Sequence, residues 1–588
     1  MKSAKSVESS IAAFAAVALV ILAATAESDS KPGSEPVASN LWHDGTARSV
    51  IVQGADLLTV TEAIRSAGGD ITHELGIINA VAAELTVAQV ETVRKTHGVH
   101  RLTANRAVET SGKPVKDHPS DSGTGNEILN SVFPTLIGAD RVHAENNLGW
   151  DATIAVVDTG IWKHDGLTLD YSGSARIEAV YDARNDDWIK VRSSADPNGH
   201  GSHVASVTAS SLVTHEGLYN GIAPGAGIFS IVAFDDQGQG TYADVIRGID
   251  VAVQNAGWIR VLNLSIGAPV QTHYWDDPLN QAVMRAWEAG LVVVTSAGNT
   301  GPEPQTITVP ANVPYVITVG AMTDSETADT ADDRLTTFSG AGPTYDGFVK
   351  PEILAPGGHM LGLMDSRSTL PRDYPEFYDG GKYFTMSGTS QAAAVVSGVV
   401  ALMLTADPSL TPDEIKCRLL DSARPFVNND GTLAYSIFQQ GAGVIDAYDA
   451  VHSTAGNCAN QGLDINLDLL GVYHYGGRAN QDADGNYYLM DLDGDGYTWD
   501  GTFSGSHGYM WSDAFMWSDA FMWSDAFLFT DGRLGTEGYM WSDGYMWSDA
   551  YMWSDAFIWS DGYPLTTAFP FTDGLTEAMS VNVWVSQE

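Results

Sequence analysis

Apolar and polar positions follow three regimes along the chain. The first begins at Ser49. "SVIVQG" alternates as a strand, and "LLTVTEAIRSAGG" spaces its apolar residues as a helix that stops at Gly68-Gly69. "INAVAAEL" is again extended, "TVAQVETVRKTHG" is a helix with a glycine stop, and "VHRLTANRAV" reads as one last strand. With a further strand near Ile71, this order predicts a small ferredoxin-like α+β unit over about 48–110. The polar run "TSGKPVKDHPSDSGTG" that follows predicts an exposed linker, so 27–125 forms one leading region.

The second regime spans about 126–455. Continuous apolar runs ("TIAVVD", "RVLNLSIG", "LVVVTSAGN", "YVITVGAM") alternate with helical stretches ("YADVIRGIDVAVQNAG", "PLNQAVMRAWEAG"). This predicts an α/β domain with a parallel sheet covered on both faces. Sites in such sheets lie beyond the C-terminal ends of the strands.

The third regime is the tail. Residues 451–588 hold 20 acidic residues, two arginines and no lysine. An acidic, turn-rich stretch over 456–505 leads into a hexapeptide repeat, Met-Trp-Ser-Asp-Ala-Phe, with seven Trp-Ser-Asp triplets over 506–563, and then a segment 564–588. An even period keeps each position on one face of an extended chain, so the repeat predicts a β-rich, self-stacking tail. Its aromatic rows and acidic ladder suit attachment to carbohydrate, to a cell surface or to other copies, or stabilisation.

Length and charge narrow the picture. A chain of 588 residues exceeds one core and predicts two to four domains. The net charge of 30 − 73 = −43 argues against nucleic acid and anionic membranes as partners. Lys2 and Lys5, an apolar run from Ile11 to Ala23, and Ala24-Thr25-Ala26 predict a secretory signal peptide over 1–26, hence a secreted, extracellular protein with no transmembrane anchor in its mature form. Cys417 and Cys458 are 458 − 417 = 41 positions apart; in an oxidising compartment they pair or stay as two buried thiols, and the sequence does not decide.

Four short blocks carry the chemistry. Asp158 ends the strand in "IAVVDTGI"; His200 and His203 lie in "NGHGSHVAS"; Asn299 follows the strand "LVVVTS"; Ser390 opens a long apolar helix in "SGTSQAAAVVSGVVALML". A serine hydroxyl needs a base beside it to attack, and a histidine serves if a carboxylate fixes its tautomer. A helix N-terminus and an asparagine amide both offer donors to a developing oxyanion. Singly, each has a plainer reading as a cap, a turn or a core histidine. In this order on one α/β pattern they predict nucleophilic acyl transfer.

The blocks "VVDTGI", "HGSHVA", "LNLSIG", "AGN", "LAPG" and "SGTSQAAA" resemble the subtilisin family (subtilases) of serine peptidases over about 130–450. The resemblance implies a subtilisin-like sheet, Asp158, His200 and Ser390 as triad with His200 rather than His203 as base, and Asn299 in the oxyanion hole. It further implies that Ser265, Ile266, Gly267, Ala297 and Gly298 line the substrate cleft, and that Val309–Pro310 is a cis bond. The leading unit resembles the family's inhibitor-like propeptide, an intramolecular inhibitor cut off between about 107 and 131. Partners are then protein or peptide substrates. Two departures stand out: Ser202 where threonine is common, and Gln391-Ala392-Ala393-Ala394 where Met-Ala-x-Pro is usual.

The chemistry requires no cofactor. Ca2+ is an expected structural ion, with Asp491, Asp493 and Asp495 before Gly496 resembling the first half of a calcium loop, although Thr502 stands where its last ligand belongs. A different class, a binding protein whose repeat does the work on a relic peptidase fold, conflicts with the intact set of four residues.

Overall fold

A computed structural model describes residues 46–110 and 132–481, except positions 215, 326, 430 and 431, together with strand segments at 487–490, 496–497, 527–530 and 533–534. The signal peptide expected over 1–26, most of the expected linker, Asp491, Asp493, Asp495 and the Trp-Ser-Asp triplets lie outside the described residues. The described residues from Arg48 onward form one compact unit.

The leading unit comprises β1 (Arg48–Gly54), α1 (Leu57–Ser66), β2 (Asp70–Leu75), β3 (Ala80–Leu85), α2 (Val87–Arg94) and β4 (Val99–Ala104). The strands pair antiparallel in the order β2-β3-β1-β4, the ferredoxin-like arrangement. Asp56 caps α1 by accepting from Thr59 N, and Thr86 with Gln89 forms a capping box on α2. One expectation changes. "VHRLTANRAV" is two strands, because the chain turns away at Asn105-Arg106 and β5 (Ala107–Thr110) joins another sheet. Long-range contacts cause the break: Arg106 Nη2 donates to Asp277 at 2.8 Å, and Asn105 Oδ1 accepts from Ala243 N at 2.9 Å.

The main body contains β6 (Thr153–Asp158), β7 (Ile177–Asp182), β8 (Asp187–Ile189), α3 (His200–Ala209), β9 (Gly227–Val232), β10 (Gln239–Thr241), α4 (Tyr242–Gln254), β11 (Ile259–Leu264), β12 (Ile266–Gly267), α5 (Pro278–Glu288), β13 (Val292–Ser296), β14 (Ile317–Thr323), β15 (Arg334–Leu335), β16 (Ile353–Pro356), α6 (Thr389–Ala406) and α7 (Pro412–Asp421). Among the described residues a nine-stranded sheet runs β15-β14-β13-β11-β6-β9-β7-β8, with β16 beside β14. It is parallel except for β8 and β15, which pair antiparallel. β9, β13 and β14 are buried throughout, which requires cover on both faces. Helix α6 packs on β11, β13, β14 and β16 and against α3; α4 and α5 pack on one another. Although α6 is long and apolar enough to cross a membrane, 89% of it is buried here, as the central helix of the core.

β2 and the turn at Gly76–Ile78 seat the leading unit on α4 and α5. The contacts pair its basic groups with acidic ones. His73 Nε2 meets Asp244 Oδ1 at 3.0 Å, Arg106 meets Asp277, Arg101 meets Asp276, and Ile77 N donates to Asp250 at 3.2 Å.

Packing continues past residue 455. Cys417 and Cys458 form a disulfide with Cα atoms 5.2 Å apart. Lys416 Nζ donates to Asn460 Oδ1 at 3.1 Å, and Asp468 accepts from Tyr315 Oη at 2.9 Å and pairs with His474 Nδ1 at 2.7 Å. His474 stacks on Trp275 with ring centres 4.7 Å apart.

Candidate active site

Asp158 ends β6, in the middle of the sheet, and is buried. His200 is the first residue of α3 and is also buried. Its Nδ1 lies 2.8 and 3.0 Å from the two Asp158 oxygens, so the ring presents Nε2 away from the carboxylate. Two glycines permit this approach. A Cβ on Gly201 would sit 2.4 Å from the Gly160 carbonyl and 3.1 Å from Asp158 Cβ. Gly160 itself has φ of 136°, and a Cβ there would meet the Ala195 carbonyl at 2.3 Å.

Ser390 is the second residue of α6, a position whose backbone N–H has no partner within the helix. Its Oγ lies 3.2 Å from the Ser265 carbonyl, and Ser265 Oγ donates back to the Ser390 carbonyl at 2.9 Å. Asn263 secures this strand end by donating to Ser265 Oγ at 2.9 Å and accepting from Ser397 Oγ at 2.8 Å. Helices α3 and α6 are tied directly: Thr208 Oγ1 lies 3.2 Å from the Ala394 carbonyl, and Gln391 Nε2 lies 3.5 Å from His203 Nδ1.

Asn299 follows β13. Its Oδ1 accepts from Thr389 N at 2.8 Å and Thr389 Oγ1 at 2.9 Å. Nδ2 is thereby turned outward, buried, and without an acceptor among the described residues. A buried donor left unpaired is costly.

His203 is placed for structure. Its Nε2 lies 3.0 Å from both the Met360 and Phe384 carbonyls, and burial pushes its pKa down to about 3. It stays neutral while His200 faces the site.

The cleft residues come together as well. Ser265 is the break between β11 and β12, Ile266 and Gly267 are β12 itself, and Ala297-Gly298 follows β13. β5 lies between them and a second edge. It pairs antiparallel with β12 (Ile266↔Thr110, Gly267↔Glu109) and with β10 (Gln239↔Glu109, Gly240↔Val108, Thr241↔Ala107). Val108 is fully buried there. Thr308 stands between the walls: a Cβ on Gly267 would lie 3.0 Å from its Oγ1, and one on Gly298 2.7 Å from its Cγ2. The Val309–Pro310 bond is cis.

Sequence reading missed β10, because "DDQGQG" reads as a loop, and Thr389, whose role depends on a side chain 90 positions away. Among the described residues no three His, Cys, Asp or Glu side chains are grouped to hold a metal ion, and Asp491, Asp493 and Asp495 lie outside the described residues.

Comparison with known proteins gives the family and the fold. A family model described as the subtilase family, peptidase S8, matches residues 149–443. Serine protease AprX of Bacillus subtilis is 34% identical over 382 residues, 64% of this chain and 79% of that protein. Subtilisin DY of Bacillus licheniformis is 31% identical over 291 residues, 49% of this chain and 89% of that protein. Among solved structures, fervidolysin from Fervidobacterium pennivorans, described as a keratinolytic enzyme related to subtilisin, aligns with a TM-score of 0.55 at 24% identity. The alignment covers 76% of this chain and 68% of that one, and this likeness speaks to the fold alone.

Proposed function

The chain belongs to the subtilase family and is a serine-type endopeptidase, and on that premise we propose that Ser390 is its nucleophile, His200 its general base, Asp158 the group orienting that base, and Asn299 an oxyanion donor. The observation that carries this reading is the His200–Asp158 pair, with Nδ1 held at 2.8 and 3.0 Å by one buried carboxylate. In the reaction Ser390 Oγ attacks the scissile carbonyl and His200 Nε2 takes its proton. The carbonyl oxygen becomes an oxyanion facing Asn299 Nδ2 and the Ser390 N–H. As the intermediate collapses, the C–N bond breaks and His200 returns the proton to the leaving amine. Water then attacks the acyl-enzyme by the same route, freeing the acid and Ser390. No cofactor enters these steps.

The substrate backbone would add as a strand between β10 and β12, the place β5 occupies. The leading unit therefore acts as a propeptide and intramolecular inhibitor, cut just beyond Thr110, within the 107–131 window. Thr308 narrows the primary pocket, so small to medium apolar residues fit on the acyl side. The leader over 1–26 supports secretion, and the Trp-Ser-Asp repeat an attachment or stabilising role.

Labelling by a fluorophosphonate tests the reading. Wild-type protein is expected to gain one adduct, at Ser390, and the Ser390→Ala chain none. Equal labelling of both, or none of either, rejects it.

A further inference from the structure

The reaction above leaves one buried carboxylate at the site without a role. Asp196 precedes His200 by four residues, in the polar run "SSADPNGH", and its side chain is shut off from solvent. It receives four hydrogen bonds. Oδ1 accepts from Thr159 Oγ1 and from Gly199 N, each at 2.8 Å. Oδ2 accepts from Ser202 N and Ser202 Oγ, each at 2.7 Å. Both hydroxyls are themselves acceptors: Thr159 Oγ1 takes the Gly201 N–H at 2.9 Å, and Ser202 Oγ takes the Trp162 N–H at 2.8 Å.

These donors come from two segments that the sheet alone does not connect. Thr159 directly follows Asp158, and its N–H bonds Asp158 Oδ1 at 2.8 Å. Gly199, Gly201 and Ser202 surround His200 in the first turn of α3. One carboxylate thus grips the chain beside the acid and the chain beside the base. Its negative charge also lies at the N-terminus of α3, where the helix dipole favours it. Burial pushes its pKa up while the four donors oppose that, which is the balance of a desolvated carboxylate that is fully hydrogen-bonded. Ser368 Oγ anchors the same residue from outside by donating to the Asp196 carbonyl at 2.6 Å.

We propose that Asp196 is a positioning residue that sets the Asp158–His200 geometry through Thr159 and the first turn of α3. The inference rests on the catalytic reading of Asp158 and His200. Asp196 touches neither the substrate nor the reacting atoms. It acts by holding two groups whose hydrogen bond tolerates displacement of only about 0.5 Å. Asparagine at this position presents an NH2 group to two of the four donors, so either Gly199 N or Ser202 N loses its acceptor and the two segments part.

The test compares Asp196→Asn, Thr159→Val, the double variant and His200→Ala, each by kcat and KM on a chromogenic peptide and by Tm. In Asp196→Asn, kcat is expected to fall about 30- to 100-fold with KM within about twofold, the size of loss a misplacement near 1 Å produces. Thr159→Val removes one of the four bonds and is expected to lower kcat by less, about three- to tenfold. The double variant is expected to be no worse than Asp196→Asn, since Thr159 acts through Asp196. A folded Asp196→Asn protein with kcat near wild type overturns the proposal, and so do losses that add in the double variant. If Asp196→Asn yields no folded protein, Thr159→Val decides: a lower kcat at unchanged KM and Tm supports the proposal, and an unchanged kcat rejects it. His200→Ala separates this from the underlying reading, because full activity in that variant would reject the triad itself.

Discussion

Thr389 fixes the rotamer of Asn299 by giving both its N–H and its hydroxyl to one amide oxygen, at 2.8 and 2.9 Å. The residue just before Ser390 therefore aims the amide proposed to face the oxyanion. The same hydroxyl accepts from Gly298 N at 3.2 Å, so the cleft wall joins the arrangement.

Asn299→Leu is accordingly expected to lower kcat by about 10²- to 10³-fold with little change in KM, since the donor works only once negative charge has formed. Thr389→Val keeps the N–H and loses the hydroxyl, and a milder fall of about tenfold follows. Steady-state kinetics on one peptide substrate checks both. A rise in KM at constant kcat would instead assign Asn299 to ground-state binding.

Thr308 offers a test of the primary pocket. Its side chain faces positions 267 and 298, where only glycine leaves room. Thr308→Gly is expected to raise the kcat/KM ratio of aromatic over alanine acyl-side substrates by about tenfold, within the range that one or two methylene-sized changes produce. A substrate profile unchanged by the substitution would remove Thr308 from the pocket.

Much of this was legible in the chain because the relevant signals are local. "TIAVVD" is a continuous apolar run that ends in a polar turn, and it forms the buried strand ending at Asp158. "TPDE" and "TYAD" announce the capping boxes that begin α7 and α4. The features that escaped depend on distant partners. Nothing near Asn105-Arg106 signals a break; Asp277 and Ala243 cause it. Asp196 looks like any turn aspartate until Thr159 is brought beside it. Spacing left the pairing of Cys417 with Cys458 open, and only the course of the 456–481 segment across α7 brings them together.

The disulfide pins that segment to the body. Cys417→Ser with Cys458→Ser is expected to cost about 2–4 kcal/mol and several degrees of Tm, while leaving kcat at 25 °C within about twofold. Calorimetry with and without reductant on the wild type checks the same point. A Tm indifferent to reductant would mean the side-chain contacts of Asn460, Asp468 and His474 suffice alone.

Stability is expected to rise from about pH 7 toward pH 10. Burial, opposed by Glu352, pushes Lys350 down to about 7, far below the ordinary 10.5. Between those values the unfolded chain binds a proton that the native chain does not, so raising the pH favours the folded state. Tyr242, Tyr274 and Tyr315 reverse the trend higher up. Burial raises all three well above 10, and above that pH only the unfolded chain releases their protons. Calorimetric Tm between pH 7 and 11 should therefore show a maximum, and Lys350→Met should flatten the rising limb. A Tm that falls steadily from pH 7 contradicts this assignment.

Two arginines of the leading unit make contrasting predictions about its proposed release. The Arg106–Asp277 pair has side chains only 14% and 1% exposed, and Arg106 also lies over the Tyr242 ring at 4.7 Å. Arg101–Asp276 is 37% and 33% exposed. Truncating one partner of a buried pair costs about 3–5 kcal/mol, whereas a pair open to solvent contributes about 0–1 kcal/mol and is screened by salt. Arg106→Ala should thus loosen the cut leading unit by about 10²-fold or more and shorten the lag before activity appears, and Arg101→Ala should act weakly and only at low ionic strength. The lag is read directly by mixing freshly processed protein with a fluorogenic peptide at low and high salt. Equal effects of the two substitutions would mean that the strand contacts of β5, which neither arginine makes, control release by themselves.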